Sequence, residues 1–306
     1  MFGRSWIVVF FFALATLLAW PARADHLLLS IAPGGGTRPP DPVLKTIDPT
    51  DGSTITEANV TITLAGFTVI GGSGLARHPQ TETLYALLKV SGSSFRRLVT
   101  LDETTGIATD IGDTVNRFAG MAFTADGTLY GITGDGGGIP ESLFTLSLVD
   151  ASSTLVIELG AGSDGETIAF NPTDGLIYHA SGIGTPNHPN GEIFETVDPG
   201  MLSVANVPLS GFDYEELTSL TYSDGAFYAG DVGDSAVDMP SLYRITPAGV
   251  VTLIGAIDHV SKGLVEARDP VQVPVMSAAT ALLLVALLAF AGIAAGKFSA
   301  LSVDRG

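Results

Sequence analysis

The sequence predicts an all-β protein, a β-propeller of five four-stranded blades whose ring is closed by strands from both ends of the chain. Two observations predict it. A short phrase ending in tyrosine recurs four times at a period in the forties, and every recurrence leads into alternating apolar and polar segments separated by Asp/Gly turns. A third observation narrows the field: 306 residues with 46% hydrophobic content can bury a large core, and zero cysteines exclude a disulfide scaffold, a thiolate metal site and a cysteine nucleophile.

The phrase first appears as Gly74-Leu75-Ala76 leading to Thr83-Leu84-Tyr85. It returns as Gly120-Met121-Ala122-Phe123 before Thr128-Leu129-Tyr130, as Thr167-Ile168-Ala169-Phe170 before Leu176-Ile177-Tyr178, and as Ser219-Leu220-Thr221-Tyr222 before Ala226-Phe227-Tyr228. The tyrosines lie 45, 48 and 50 residues apart. Third strands are expected at Phe95–Leu101, Leu143–Val149, Ile193–Val197 and Leu242–Thr246, and fourth strands at Ile107–Ile111, Thr154–Leu159, Val204–Leu209 and Val250–Ile254. Four short strands per repeat of this length is the pattern of a propeller blade. The hairpins have their turn chemistry in Ala125-Asp126-Gly127, Thr173-Asp174-Gly175, Ser223-Asp224-Gly225 and Thr105-Gly106. The repeated tyrosines read as packing residues, since they recur in every unit.

The remaining segments complete the ring. His26–Ile31 reads as a second strand, Val43–Ile47 as a third, and residues 48–52 as the turn into a fourth. This unit lacks a first strand, and Lys262-Gly263-Leu264-Val265-Glu266 is a first strand lacking the rest. Pairing them makes a fifth blade and removes open sheet edges. These repeats resemble bacterial secreted propellers of NHL and WD-like style across residues 26–267, without the Gly-His and Trp-Asp dipeptides of WD repeats. The resemblance implies the architecture and no particular activity.

Both ends read as targeting segments outside the propeller. Arg4, an uncharged run from Trp6 to Trp20, and Ala22-Arg23-Ala24 form a signal peptide over residues 1–24, with cleavage before Asp25. Residues 25–270 are the propeller and 271–274 a linker. Residues 275–296 carry no charge and span about 33 Å as a helix, enough to cross a bilayer. Lys297 begins a cytoplasmic tail over residues 297–306. Val273-Pro274-Val275-Met276-Ser277, the apolar helix and the short basic tail look like a C-terminal sorting signal of the IPTL-CTERM or PEP-CTERM type. That likeness implies a membrane-embedded sorting and processing enzyme as a partner; the other reading is a permanent membrane anchor.

Charge excludes one class of partner. Residues 25–274 hold 10 Lys/Arg against 31 Asp/Glu, a net charge of −21, so nucleic acid would be repelled. In such a blade the short first and third turns share one face of the disc, and the long second loops and the blade-to-blade crossings share the other. The long-loop face is the expected working face. It carries Asp41, Asp113, Asp135, Glu141, Asp164, Glu166, Glu192, Asp213, Glu215, Glu216, Asp231, Asp234, Asp238 and Asp258, opposed by Arg38, Lys89, Arg117 and Lys262. Asp231, Asp234 and Asp238 form its densest oxygen cluster and suggest calcium, although the spacing is not that of an EF-hand.

Three function classes follow. The leading one is a non-catalytic exported propeller that binds a protein or glycan at the bacterial envelope or outside it. The second is an extracellular carbohydrate hydrolase, with Glu166 at the channel mouth and Asp213, Glu215 or Glu216 as its partner carboxylate. The third is a structural surface or matrix component.

Overall fold

The computed structural model describes residues 27–32, 42–134, 137–159, 166–185, 188–211, 216–233 and 239–268, without the side chains of residues 57, 166 and 182–192. The chain divides after Ala267, and all but Arg268 of the second unit lies outside these residues, as do the signal peptide, linker and apolar helix read above.

Five antiparallel sheets account for the first unit. From inner to outer strand, blade 2 comprises Val69–Arg77, Leu84–Val90, Arg96–Leu101 and Ile107–Asp113. Blade 3 comprises Phe118–Phe123, Leu129–Thr133, Ser142–Leu146 and Ser153–Glu158. Blade 4 comprises Glu166–Asn171, Leu176–Thr185, His188–Asp198 and Ser203–Asn206, and blade 5 Leu217–Ser223, Ala226–Asp231, Ser241–Ile245 and Val251–Ala256. Blade 1 is the split one: Leu264–Glu266, then Leu28–Ile31, Val43–Ile47 and Val60–Thr61. The inner strands neighbour one another in a closed cycle, blade 1 returning to blade 5. The five-bladed ring expected from the repeats is therefore the observed fold.

Strand alternation explains why the blades stack. In Leu84–Val90, the residues Leu84, Ala86, Leu88 and Val90 pack toward blade 1, while Tyr85 and Leu87 pack toward blade 3. Each blade thus offers two apolar faces, and five core clusters fill the five junctions. Representative members are Ile31 with Leu88, Leu98 with Phe118, Leu143 with Ile177, Tyr178 with Phe227, and Leu28 with Leu242. The outer strands are largely exposed, as Ser203–Asn206 shows at all four positions. The repeated tyrosines lie in these junctions; Tyr178 and Tyr228 are buried, and Tyr85 and Tyr130 partly so.

Much of the acidity serves the turns. Asp102 accepts backbone N–H bonds from Thr104 and Thr105, Asp126 from Thr128, Asp150 from Ser152, and Asp198 from Gly200 and Met201. These are Asx turns, in which the carboxylate replaces a backbone acceptor.

One addition was not read from the sequence. After the turn at residues 48–52, the chain makes a short 3-10 helix, Thr56–Ala58, before the fourth strand of blade 1. It then continues as Thr63–Leu64, pairing in parallel with Ile107 and Ala108 on the outer edge of blade 2. A parallel bridge from Ser210 to Val250 repeats the device between blades 4 and 5. The crossing segments thereby cover outer edges that would otherwise expose ladder groups.

Closure rests on Leu28, Leu29 and Ser30 facing Glu266, Val265 and Leu264. Polar groups reinforce it. Asp258, between blade 5 and the last strand, accepts Lys45 Nζ at 2.9 Å and Thr54 Oγ1 at 2.8 Å, with His259 Nδ1 at 2.8 Å. The hydrogen bond with His259, then those from Lys45 and Thr54, hold its carboxyl below the usual carboxylate range, against the opposing effect of burial. A depressed carboxylate contributes stability above its unfolded pKa of about 4, and that stability is lost as pH falls through its folded value. Asp258→Asn is therefore expected to melt below the native protein at pH 6, with the gap closing as the pH is taken from about 4 toward 2. A gap independent of pH in thermal melts would count against the clasp.

Candidate functional site

The five inner strands surround a channel, and its two ends differ chemically. Toward the short-turn face lies a cavity of about 220 Å³. Each blade lines it with three consecutive residues: Leu75–Arg77, Met121–Phe123, Ile168–Phe170, Leu220–Tyr222 and Leu264–Glu266, with Pro79 and Glu82 beside them. The first residue of each triplet is Leu, Met or Ile, so the cavity rests on an apolar layer. The third residue varies as Arg, Phe, Phe, Tyr and Glu, so it is at this layer that the ring becomes asymmetric.

Polar contacts fix that layer at the seam. Arg77 donates to Glu103 Oε2 at 2.5 Å, to Glu82 O at 3.0 Å and to Glu266 O at 3.1 Å. Ser223 Oγ donates to Glu266 Oε2 at 2.9 Å. Blades 5, 1 and 2 are thus joined around the opening. Phe123 is held by His78 and Tyr85, with ring centroids 4.9 and 5.2 Å away.

The opposite end begins at the long-loop face. Of the residues singled out there, Arg38, Asp41, Asp135, Asp164, Asp213, Glu215, Asp234 and Asp238 lie outside the described residues, and Glu166 and Glu192 are described only by their backbone, that of Glu166 pairing with Ser181. Glu216 and Asp231 are both seen. Val232 N donates to Glu216 O at 3.2 Å, which makes the two acids neighbours across the first hairpin of blade 5, yet their charges are engaged separately. Glu216 Oε1 is 3.4 Å from Lys262 Nζ. Asp231 is buried and accepts Ser241 N at 2.6 Å, Gly233 N at 3.2 Å and Tyr243 OH at 2.9 Å. Burial pushes its carboxyl up, against the lowering effect of those donors. A calcium ion at this position would have to share Asp231 with the three of them. Among the described residues no group of three or more His, Asp or Glu is arranged to hold a metal.

Two constellations were not foreseen from the sequence. In the first, Ser30 Oγ lies 2.7 Å from His259 Nε2, and His259 Nδ1 lies 2.8 Å from Asp258. This is the order of a hydrolytic triad, but Ser30 is 0% exposed and its hydroxyl also donates to Ser261 Oγ at 2.8 Å. A buried hydroxyl cannot meet a substrate carbonyl, and these bonds instead tie the strand Leu28–Ile31 to the closing segment. The second joins Arg96 to Lys89, Arg117 and Lys262, three cations that the sequence had already placed on this face. The hairpin at Ser91–Phe95 makes Lys89 and Arg96 direct partners, a pairing that the strand assignments could have revealed. His179 is fully buried with Nδ1 at 2.9 Å from Glu195.

Ring, channel and closure define the class: this is a five-bladed β-propeller. No family model and no curated protein matches the sequence. Similar solved structures include a nidogen/laminin complex, at 12% identity over 76% of this chain and 79% of that one with a TM-score of 0.47. TolB from Acinetobacter baumannii is 14% identical over 76% of this chain and 53% of its own, with a TM-score of 0.48. The PQQ-bound aldose sugar dehydrogenase from Streptomyces coelicolor is 11% identical over 69% of this chain and 74% of its own, with a TM-score of 0.41.

Proposed function

We propose that this propeller is an exported, non-catalytic module that binds a protein or glycan at the bacterial envelope or outside it. The observation that carries the reading is the channel cavity. It is concave, drawn from every blade, floored by apolar side chains and rimmed by Phe170, Tyr222, Arg77 and Glu266. Binding sites combine an apolar body with a few fixed polar groups in this way, and a rigid ring holds them in place.

A glycan array and a hydrolysis screen on the purified protein test this together. Binding without turnover is expected, and Tyr222→Ala should weaken it about tenfold, as loss of an aromatic contact of 1–2 kcal/mol would. Substrate turnover that Glu166→Gln abolishes would overturn the reading in favour of the hydrolase.

Delivery belongs to the same proposal. The N-terminal segment directs export, and the tail beyond Val273 serves as a sorting signal removed by a processing enzyme. The mature protein should then lack the mass of residues 274–306 and be found on the surface or in the medium. Mass spectrometry of an intact C terminus in the inner membrane would show a permanent anchor instead.

A further inference from the structure

The cationic group at the long-loop end of the channel is unusual for this chain. Lys89, Arg96, Arg117 and Lys262 are four of only 10 Lys/Arg in a segment with 31 carboxylates. At such an excess of acid, isolated cations find carboxylates easily; among the described residues only Lys262 of these four does. Lys89 stands directly opposite Arg96 across the ladder, a like-charge pairing that destabilises a sheet. Arg96 is held in that position, since its Nε donates to Ser73 Oγ at 3.0 Å and Ser73 donates to Phe118 O at 2.9 Å. Arg117, one residue before Phe118, repels Arg96, and Lys262, at the entry to the closing strand, repels Lys89. Among the described residues no carboxylate pairs with Lys89, Arg96 or Arg117, and Lys262 meets only Glu216, at 3.4 Å.

We propose that this cluster binds a doubly charged oxyanion, phosphate or sulfate, either free or as the terminal substituent of a larger ligand. Two guanidinium and two ammonium groups come from blades 1 and 2 and the crossing into blade 3, Arg96 also donating Nη1 to Ser94 O at 3.2 Å, and such donors suit tetrahedral oxyanions. A bound dianion relieves the repulsion among the four. The site is separate from the short-turn cavity, so each can fail without the other.

The pH dependence follows from the same geometry. Burial first, then Arg96 and Lys262, lower the Lys89 ammonium to about 8. Arg96 and Lys262 face it as cations, Arg117 acts on Arg96, and Glu216 is engaged by Lys262. Lys89 therefore loses its charge between pH 7 and 9, where an ordinary lysine keeps it.

Calorimetric titration of the full chain with sulfate at constant ionic strength, chloride as the counter-anion, tests the site. One saturable site is expected, with sulfate affinity falling from pH 7 to 9 in the native protein and unchanged over that range in Lys89→Gln. Arg96→Gln should weaken binding at least tenfold. Arg117 is exposed, so Arg117→Gln should leave the fold intact by circular dichroism and still weaken binding severalfold. Glu216→Gln should strengthen it. Inorganic phosphate should bind alike, and tighter binding of glucose 6-phosphate would assign the site to a substituent rather than to the free ion. No saturable sulfate or phosphate uptake at pH 7, or uptake unchanged in folded Arg117→Gln and Arg96→Gln, overturns the proposal.

Discussion

A chain ending at Ile257 is expected to aggregate or to melt far below one ending at Pro270. The shorter chain loses Leu264–Glu266, the inner strand of blade 1, and leaves Leu28–Ile31 without its antiparallel partner. It also loses Asp258, His259 and Ser261, which tie the closing segment to Lys45, Thr54 and Ser30. Backbone donors and acceptors that faced the channel become unpaired beside apolar Leu264 and Val265 positions now empty. Losing one inner strand opens the whole ring, so the cost should be several kcal/mol out of a typical total of about 5–15. Neither chain carries the apolar tail, so the comparison isolates the strand. Equal melting temperatures would show that the ring does not depend on this closure.

The second large effect concerns how closely the blades approach at their outer turns. Gly106 sits in the third turn of blade 2 with φ +71°, and a Cβ there would lie 2.0 Å from Thr61 O of blade 1. Gly175, in the first turn of blade 4, has φ +77° and open space around the same position. Alanine at either site must adopt the left-handed region, at about 1–2 kcal/mol. At Gly106 it must also push backbone away from backbone, which adds roughly 1–3 kcal/mol of overpacking. Gly106→Ala should therefore destabilise about twice as much as Gly175→Ala, or more, when urea midpoints are compared. Equal losses would mean that the two blades do not meet there. At Gly249, φ +83°, a Cβ would lie 2.2 Å from Pro208 O between blades 5 and 4, which offers a second test.

Most of the fold was legible because its signals are local. The third strand expected at Val43–Ile47 is the one observed, and the fourth expected at Ile107–Ile111 extends only to Asp113. Alternation assigns residues to two faces, and Asp/Gly turns fix the register between neighbours, so each hairpin is written within about twenty residues of chain. Even the split blade could be inferred, since one end lacked a first strand and the other supplied only that.

The site was far less legible. Sequence reasoning favoured the long-loop face and weighed its acids; the channel cavity opens toward the short turns, and the cationic cluster lies at the long-loop end. Its clue was present in the variable fourth position of the repeated phrase, Arg77, Phe123, Phe170, Tyr222 and Glu266, which breaks an otherwise regular pattern.

By itself the sequence determined the strands, their turns, the number of blades and the pairing of the two ends, because period-two alternation and turn chemistry act between near neighbours. Only the tertiary structure decided which polar groups meet. Ser30 reaches His259 across 229 positions, and Lys262 comes within repelling range of Lys89, because inter-blade packing of apolar faces sets how tightly the ring closes. That packing is a property of five interfaces taken together, and no window of the chain contains it.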